Sequence, residues 1–103
     1  MGQPLTKKDL GKRFSEGARR LWLLREGRGW THANVATDLS ALLISRSDAR
    51  VVVPNVVCRW AYGERVPGRD NSLLLQERYG IDPALWSKAP VETFIPPAAR
   101  VAA

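Results

Sequence analysis

The chain has 103 residues, 45% of them hydrophobic and 25% charged, which suits one small globular domain and argues against a wholly disordered chain. Sixteen Lys and Arg against ten Asp and Glu leave a formal net charge of +6, which favours polyanionic partners such as nucleic acid or an anionic membrane surface. The apolar runs are far shorter than the roughly 20 residues of a spanning helix, and one cysteine with one histidine cannot complete a structural zinc site, so we expect a cytoplasmic protein without membrane span, metal or cofactor.

The first third of the chain predicts two amphipathic helices. Thr6 can cap the first helix after a loose lead, and the glycines of "GRG" end it. The second helix lies within "WTHANVATDLSALL", with Thr31 as its N-cap. Apolar residues recur at three- and four-residue steps in both segments, the spacing of a helical stripe. The stripe residues are Leu10, Phe14, Ala18, Leu21, Trp22 and Leu24 in the first helix, and Val35, Ala36, Leu39, Leu42 and Leu43 in the second.

The segment "ISRSDARVVV" between the second and third helices is ambiguous. Its polar residues and β-branched run allow an extension of the second helix, a short hairpin or an ordered loop. After it, Pro54 suits the first position of a helix and disfavours the helical region for Val53. The third helix is therefore predicted from about Pro54 to Tyr62, with Gly63 as a left-handed stop.

Two further helices are predicted before a tail. Asp70 can cap "NSLLLQERYG", in which Leu73, Leu74 and Tyr79 face inward and Gly80 ends the helix. Asp82 then caps a brief fifth helix that begins at Pro83 and carries Leu85 and Trp86. The prediction is one domain over residues 1–88 and an irregular Pro/Ala-rich tail over residues 89–103.

Four segments in this order resemble a known family. The run "LWLLREGRGWTHANVATDLS" is similar to "LRExRGLTQxxLAxxLG" of the lambda-repressor-like (Xre or Cro type) helix-turn-helix family, and "VVCRWAYGERVP" is similar to its "xISRWExGxRxP". "LLLQERYGIDPALW" resembles its last two helices. The resemblance implies an all-α, five-helix, DNA-binding domain. The chain differs in an insertion at about residues 41–52, and in Ala61, which stands where the family has a glutamate that pairs with the arginine at Arg25.

The resemblance implies that the helix from about Pro54 to Tyr62 lies in the major groove of double-stranded DNA. Its N-terminal residues then meet base edges. Asn55 can pair with adenine, Arg59 can make a bidentate contact to guanine, and Val56 can meet a thymine methyl. The alternative is that Asn55 is only a turn residue and Arg59 only a solvated charge.

Phosphate contacts follow from the same resemblance. Thr31 and His32 lie at the positive end of the second helix, where free amides attract a phosphate. Arg65 and Arg69 flank the end of the third helix, and Arg46 and Arg50 join them if the insertion faces the duplex. A merely soluble basic surface is the alternative for these arginines.

The remaining conspicuous residues are interpreted as structural. Trp60 is expected to pack the third helix onto the first, and Trp22, Trp30 and Trp86 also suit packing better than base stacking. Cys58 is expected to behave as a small apolar residue.

The resemblance implies a non-enzymatic transcriptional repressor that binds a palindromic operator as a homodimer. Such dimers place their recognition helices about 34 Å apart. Two alternatives remain: an antitoxin-like interaction module whose C-terminal tail binds a protein partner, and a DNA-binding accessory factor of recombination.

Overall fold

The computed structural model describes residues 14–91, which form four α-helices and one 3-10 helix and contain no strand. The helices are α1 (Glu16–Arg28), α2 (His32–Ser45), α3 (Pro54–Ala61), α4 (Arg69–Tyr79) and the 3-10 helix (Pro83–Ser87). The all-helical prediction is confirmed for these residues, although the fifth predicted helix is a 3-10 helix. No helix among them is long and apolar enough to cross a membrane.

The first helix begins later than predicted. Ser15 is its N-cap, with an extended backbone and a side-chain oxygen that accepts a hydrogen bond from the Ala18 N–H at 3.2 Å. Phe14 therefore precedes α1 and does not belong to its stripe. The predicted cap Thr6 lies outside the described residues, as does Leu10. Ser15 satisfies the free amides of the first turn, which is why a helix starts there.

Glu16 joins the start of α1 to the end of the described chain. Its side chain is 1% exposed, and it accepts hydrogen bonds from Arg19, Arg20 and the Val91 backbone N–H. Burial alone would raise the pKa of this carboxyl, but the Val91 and Arg20 hydrogen bonds and the two arginine charges lower it below 4.5. Of the predicted tail, only residues 89–91 are described, and this contact holds them against α1.

One hydrophobic core lies between the helices. α3 packs against α1 and α2, whereas α4 packs against α2 and the 3-10 helix, which also contacts α1. The indole of Trp86 lies so close to Gly17 that no side chain fits at Gly17. Trp60 and Trp22 are 3% and 2% exposed, so their prediction as core residues is confirmed. The other core members are Ala18, Leu21, Val35, Ala36, Leu39, Leu43, Val52, Val57, Ala61, Leu74, Leu75, Ile81 and Trp86.

The insertion is partly helix and partly ordered loop. α2 continues to Ser45, and residues 46–53 then return to the start of α3 without forming a hairpin. The Ser40 hydroxyl donates to the Val52 carbonyl at 3.1 Å and accepts from the Val52 N–H at 3.0 Å. This two-way contact fixes the end of the loop against the middle of α2.

Two details of α4 correct the prediction. Gly68, rather than Asp70, is the N-cap, and Asp70 lies in the first turn without a capping hydrogen bond. Leu73 is 47% exposed, while Leu74 and Leu75 are buried. A run of three leucines does not show which of them face the core. The sequence therefore predicted the buried side of α4 to begin one residue too early. The left-handed cap at Gly80 and the Asp82 cap of the next helix are confirmed.

Candidate nucleic-acid interface

α3 has one buried side and one exposed side. Val57 and Trp60 are buried, and the Trp22 indole N–H donates to the Ala61 carbonyl at 2.6 Å. Asn55 and Arg59, one helical turn apart, are both exposed. Because the buried side is attached to α1 and α2, the direction in which Asn55 and Arg59 project is fixed by the core.

The ends of α3 lie where the sequence predicts them. Pro54 is at the first helical position, preceded by Val53 with an extended backbone, and the helix ends at Ala61 with Tyr62 as its C-cap. Gly63 follows with φ 73°, and a Cβ there would collide with the backbone of Phe14. Only glycine fits this close crossing. Val56, the third predicted base-reading residue, packs partly against the core and is half-buried.

Thr31 caps α2 in a reciprocal arrangement with Asn34. The Asn34 N–H donates to the Thr31 hydroxyl oxygen at 3.2 Å, and the Thr31 N–H donates to the Asn34 side-chain oxygen at 2.9 Å. This capping box confirms Thr31 as the N-cap. It also occupies the amides of Thr31 and Asn34, so the amides of His32 and Ala33 carry the predicted attraction for phosphate.

The His32 side chain turns inward. Its ring lies edge-to-face with Trp22 and Tyr62, at centroid distances of 5.3 and 6.1 Å, and its Nδ1 is buried without a hydrogen-bond partner. Burial, followed by the charge of Arg25, lowers the pKa of His32 to about 4. The ring is neutral near pH 7, so any attraction for phosphate at this position comes from the backbone.

Arg25 is a candidate that sequence reasoning did not select. Its guanidinium lies over the Trp22 ring at 4.4 Å from the centroid, with Nε and Nη1 buried and without a hydrogen-bond partner. Burial lowers its pKa. Ala61 supplies no carboxylate, and Arg25 forms no ion pair with any described residue. The sequence did contain a signal for an unpaired arginine, because Ala61 stands where the family has the glutamate that pairs with Arg25.

The other predicted phosphate-binding arginines divide into two groups. Arg65, between α3 and α4, and Arg69, the first residue of α4, are exposed and form no ion pair within residues 14–91. Arg46 forms an ion pair with Glu77 of α4. Arg50 contacts Asp48 at 3.0 Å and Asp70 at 3.6 Å.

The environment of Cys58 does not activate its thiol. Burial and the charge of Glu64 raise the pKa of the Cys58 thiol, so the reactive thiolate is disfavoured. Within residues 14–91, no three His, Cys, Asp or Glu side chains are grouped closely enough to hold a metal ion. The arrangement is suited to binding through cations, amides and amide side chains.

Comparison with known proteins adds no relative. No protein-family model, curated protein or solved structure matches the chain. The resemblance to the lambda-repressor-like family therefore rests on the quoted residues alone.

Proposed function

We propose that this protein binds double-stranded DNA sequence-specifically and acts as a transcriptional repressor of the lambda-repressor-like, five-helix type. The observation that carries the proposal is the way in which α3 is held against the core. Trp60 and the Trp22 contact to Ala61 attach its inner side to the core, and Asn55 and Arg59 project together from its outer side. A short helix held in this way has the form of a recognition helix.

In the proposed complex, α3 lies in the major groove with its N-terminus toward the bases. Arg59 makes a bidentate contact to guanine and Asn55 a bidentate contact to adenine, each worth about 1–3 kcal/mol of discrimination. Val56 contributes less to base contacts than the sequence suggested, because its side chain is half-buried against the core.

Phosphates are held on both sides of α3. The N-terminal amides of α2 attract one phosphate, and the unpaired guanidinium of Arg25 lies beside His32 near that helix end. Arg65 and Arg69 hold phosphates beyond the end of α3. These contacts position the protein and carry no sequence information.

Arg46 and Arg50 have a conditional place in this proposal. Each would exchange an acidic partner of its own chain for a phosphate, so each contributes less than an unpaired arginine. Their main role in the free protein is to hold the insertion against α4 and its first turn.

Selection of bound sequences from random duplexes tests the function. We expect a palindrome whose half-sites are about one helical turn apart, bound by two copies of the chain, because a two-fold dimer presents its recognition helices about 34 Å apart. Duplexes recovered with no shared sequence would refute base reading by α3. A single asymmetric half-site bound by one copy would refute the homodimer and favour the accessory-factor alternative.

A further inference from the structure

The insertion ends in exposed apolar side chains that lead directly into α3. Val51 is 71% exposed and Val53 is 44% exposed, while Val52 between them is 6% exposed. This alternation is that of an extended chain, in which successive side chains point to opposite sides. Val51, Val53 and the adjoining exposed Pro54 are named here the valine ridge.

The backbone of the valine ridge is fixed against α2. Val52 is buried, and both of its backbone polar groups are bonded to the Ser40 hydroxyl. The ridge therefore does not need to be ordered when a ligand arrives. An apolar group already fixed in its binding position loses little conformational entropy on contact.

Val53 is also an unfavourable choice for its local structure. It occupies the N-cap of α3 and makes no side-chain capping hydrogen bond. Ser, Thr, Asp and Asn stabilise this position, and valine is among the poorest residues there. An exposed residue that is unfavourable for the helix it begins indicates a role other than stabilising that helix.

The side of the ridge toward α2 is uncharged, whereas Val51 also borders a pocket lined by Arg50, Arg69 and Asp70. A groove of about 380 Å³ runs between the ridge and α2, and none of its lining residues carries a charge although the chain has a net charge of +6. Phosphate is not the chemistry that fits such a surface. The apolar feature that DNA presents in the major groove is the C5-methyl group of thymine.

We propose that the valine ridge extends the base-reading surface of α3 and contacts thymine methyl groups next to the bases read by Asn55 and Arg59. The ridge is continuous with the start of α3, since Pro54 belongs to both. This inference rests on the proposed function, and it assigns to the insertion a role in sequence preference, for T-containing steps at the edge of each half-site.

The test combines a variant of the protein with a variant of the base. Uracil lacks only the methyl group of thymine, so we replace each thymine of the selected operator with uracil in turn and measure affinity. The wild-type chain should lose about fourfold at the thymine that meets Val53, the value for one buried methyl group. Val53→Ser should bind the thymine duplex about fourfold more weakly and show no further loss with uracil there.

Folding cannot account for that result, because serine is a better N-cap than valine and Val53→Ser should melt at the same temperature or higher. Val51→Ser is a second test of the ridge at a neighbouring thymine. Ile44→Ser is the matched control, since Ile44 is 73% exposed and lines the same groove from α2. It should retain the wild-type response to uracil.

Three results would overturn the inference, and they differ from one another. Val53→Ser and Val51→Ser with wild-type affinity and a wild-type response to uracil would show that the ridge does not meet bases. Loss of self-association in both Ile44→Ser and Val53→Ser, with the uracil response intact, would make the groove a protein interface. Failure of the wild-type chain to select any duplex would remove the proposed function itself.

Discussion

The arginines beside α3 and the arginines of the insertion differ in what their guanidinium groups contact. Arg59, Arg65 and Arg69 are exposed and form no ion pair among the described residues, whereas Arg46 and Arg50 pair with acidic side chains. Exposed pairs of this kind contribute little to stability, because water and salt screen them. In the proposed complex, Arg46 and Arg50 therefore have less charge to offer a phosphate than Arg59, Arg65 and Arg69.

The largest expected effect concerns what holds α3 in place. Trp60→Ala should lower the free energy of unfolding by about 3–5 kcal/mol, because it empties a large buried site between helices. Urea denaturation measures this. Trp30→Ala is the control, since Trp30 is half-buried and its ring is covered on one side by Arg28. Equal losses for the two variants would mean that the core does not fix α3.

The next effect separates the two groups of arginines directly. Arg59→Ala should lose about 1–3 kcal/mol of discrimination at one base pair of the operator. Arg65→Ala should weaken binding to every sequence and reduce the slope of log affinity against log salt by about 0.9. Arg46→Ala should leave that slope almost unchanged, because Glu77 already neutralises this cation. Titrations of labelled duplexes at several salt concentrations measure all three.

Equal slopes for Arg65→Ala and Arg46→Ala would abolish the distinction between the two groups. An unchanged sequence preference in Arg59→Ala would show that the register assigned to α3 is wrong. Asn55→Ala provides the companion measurement on the same exposed side.

A pH effect follows from the burial of the His32 ring beside Arg25. The pKa of His32 is about 4 in the folded protein and 6.5 for an ordinary histidine, because burial and the charge of Arg25 disfavour the protonated ring. The unfolded chain therefore takes up a proton that the folded chain refuses between pH 6.5 and about 4. Stability should decline as the pH falls through this window.

His32→Gln should remove most of that decline. Urea midpoints at pH 7, 6 and 5 compare the two chains, and the loss should be smaller than the full pKa shift implies because the ring is only partly buried. Parallel curves for both chains would place the His32 ring in solvent, away from Arg25.

The smallest effect on stability is expected at the Arg46 ion pair. Glu77→Gln should change the free energy of unfolding by less than about 1 kcal/mol, since both side chains are about half exposed. If the insertion faces the duplex, the freed Arg46 should contact one more phosphate. The slope of log affinity against log salt should then become steeper by about 0.9. The gain should vanish in the double variant with Arg46→Ala, which identifies Arg46 as its source. No gain in Glu77→Gln would place Arg46 away from the duplex.

Local rules explain most of what the sequence predicted correctly. Thr31, Pro54, Gly63 and Gly80 mark helix ends because capping and backbone angle depend on one or two residues. The sequence predicts Phe14 within the first helix, but α1 begins after Ser15, because sequence alone does not show which of several suitable caps starts a helix. Asp70 failed as a cap for the same reason: Gly68 already provides the required backbone conformation.

The candidate interface was predictable only in part. The exposure of Asn55 and Arg59 follows from the helical spacing of Val57 and Trp60. The contacts of Arg46 with Glu77 and of Arg50 with Asp70 do not follow from the sequence. Glu77 and Asp70 lie far along the chain and meet these arginines only through tertiary packing. The inward turn of His32 likewise depends on Trp22 of α1 and on Tyr62, the C-cap of α3.

The two-way contact between Ser40 and Val52 also bears on how this fold tolerates changes in length. It closes the insertion near its end, so the residues that turn back beyond α2, 46–49, lie outside the segment that determines where α3 begins. The entropy cost of closing a loop grows only slowly with its length. Engineered variants can therefore lengthen or shorten the chain at this point, and we expect α3 to keep its position while the far end of α2 changes.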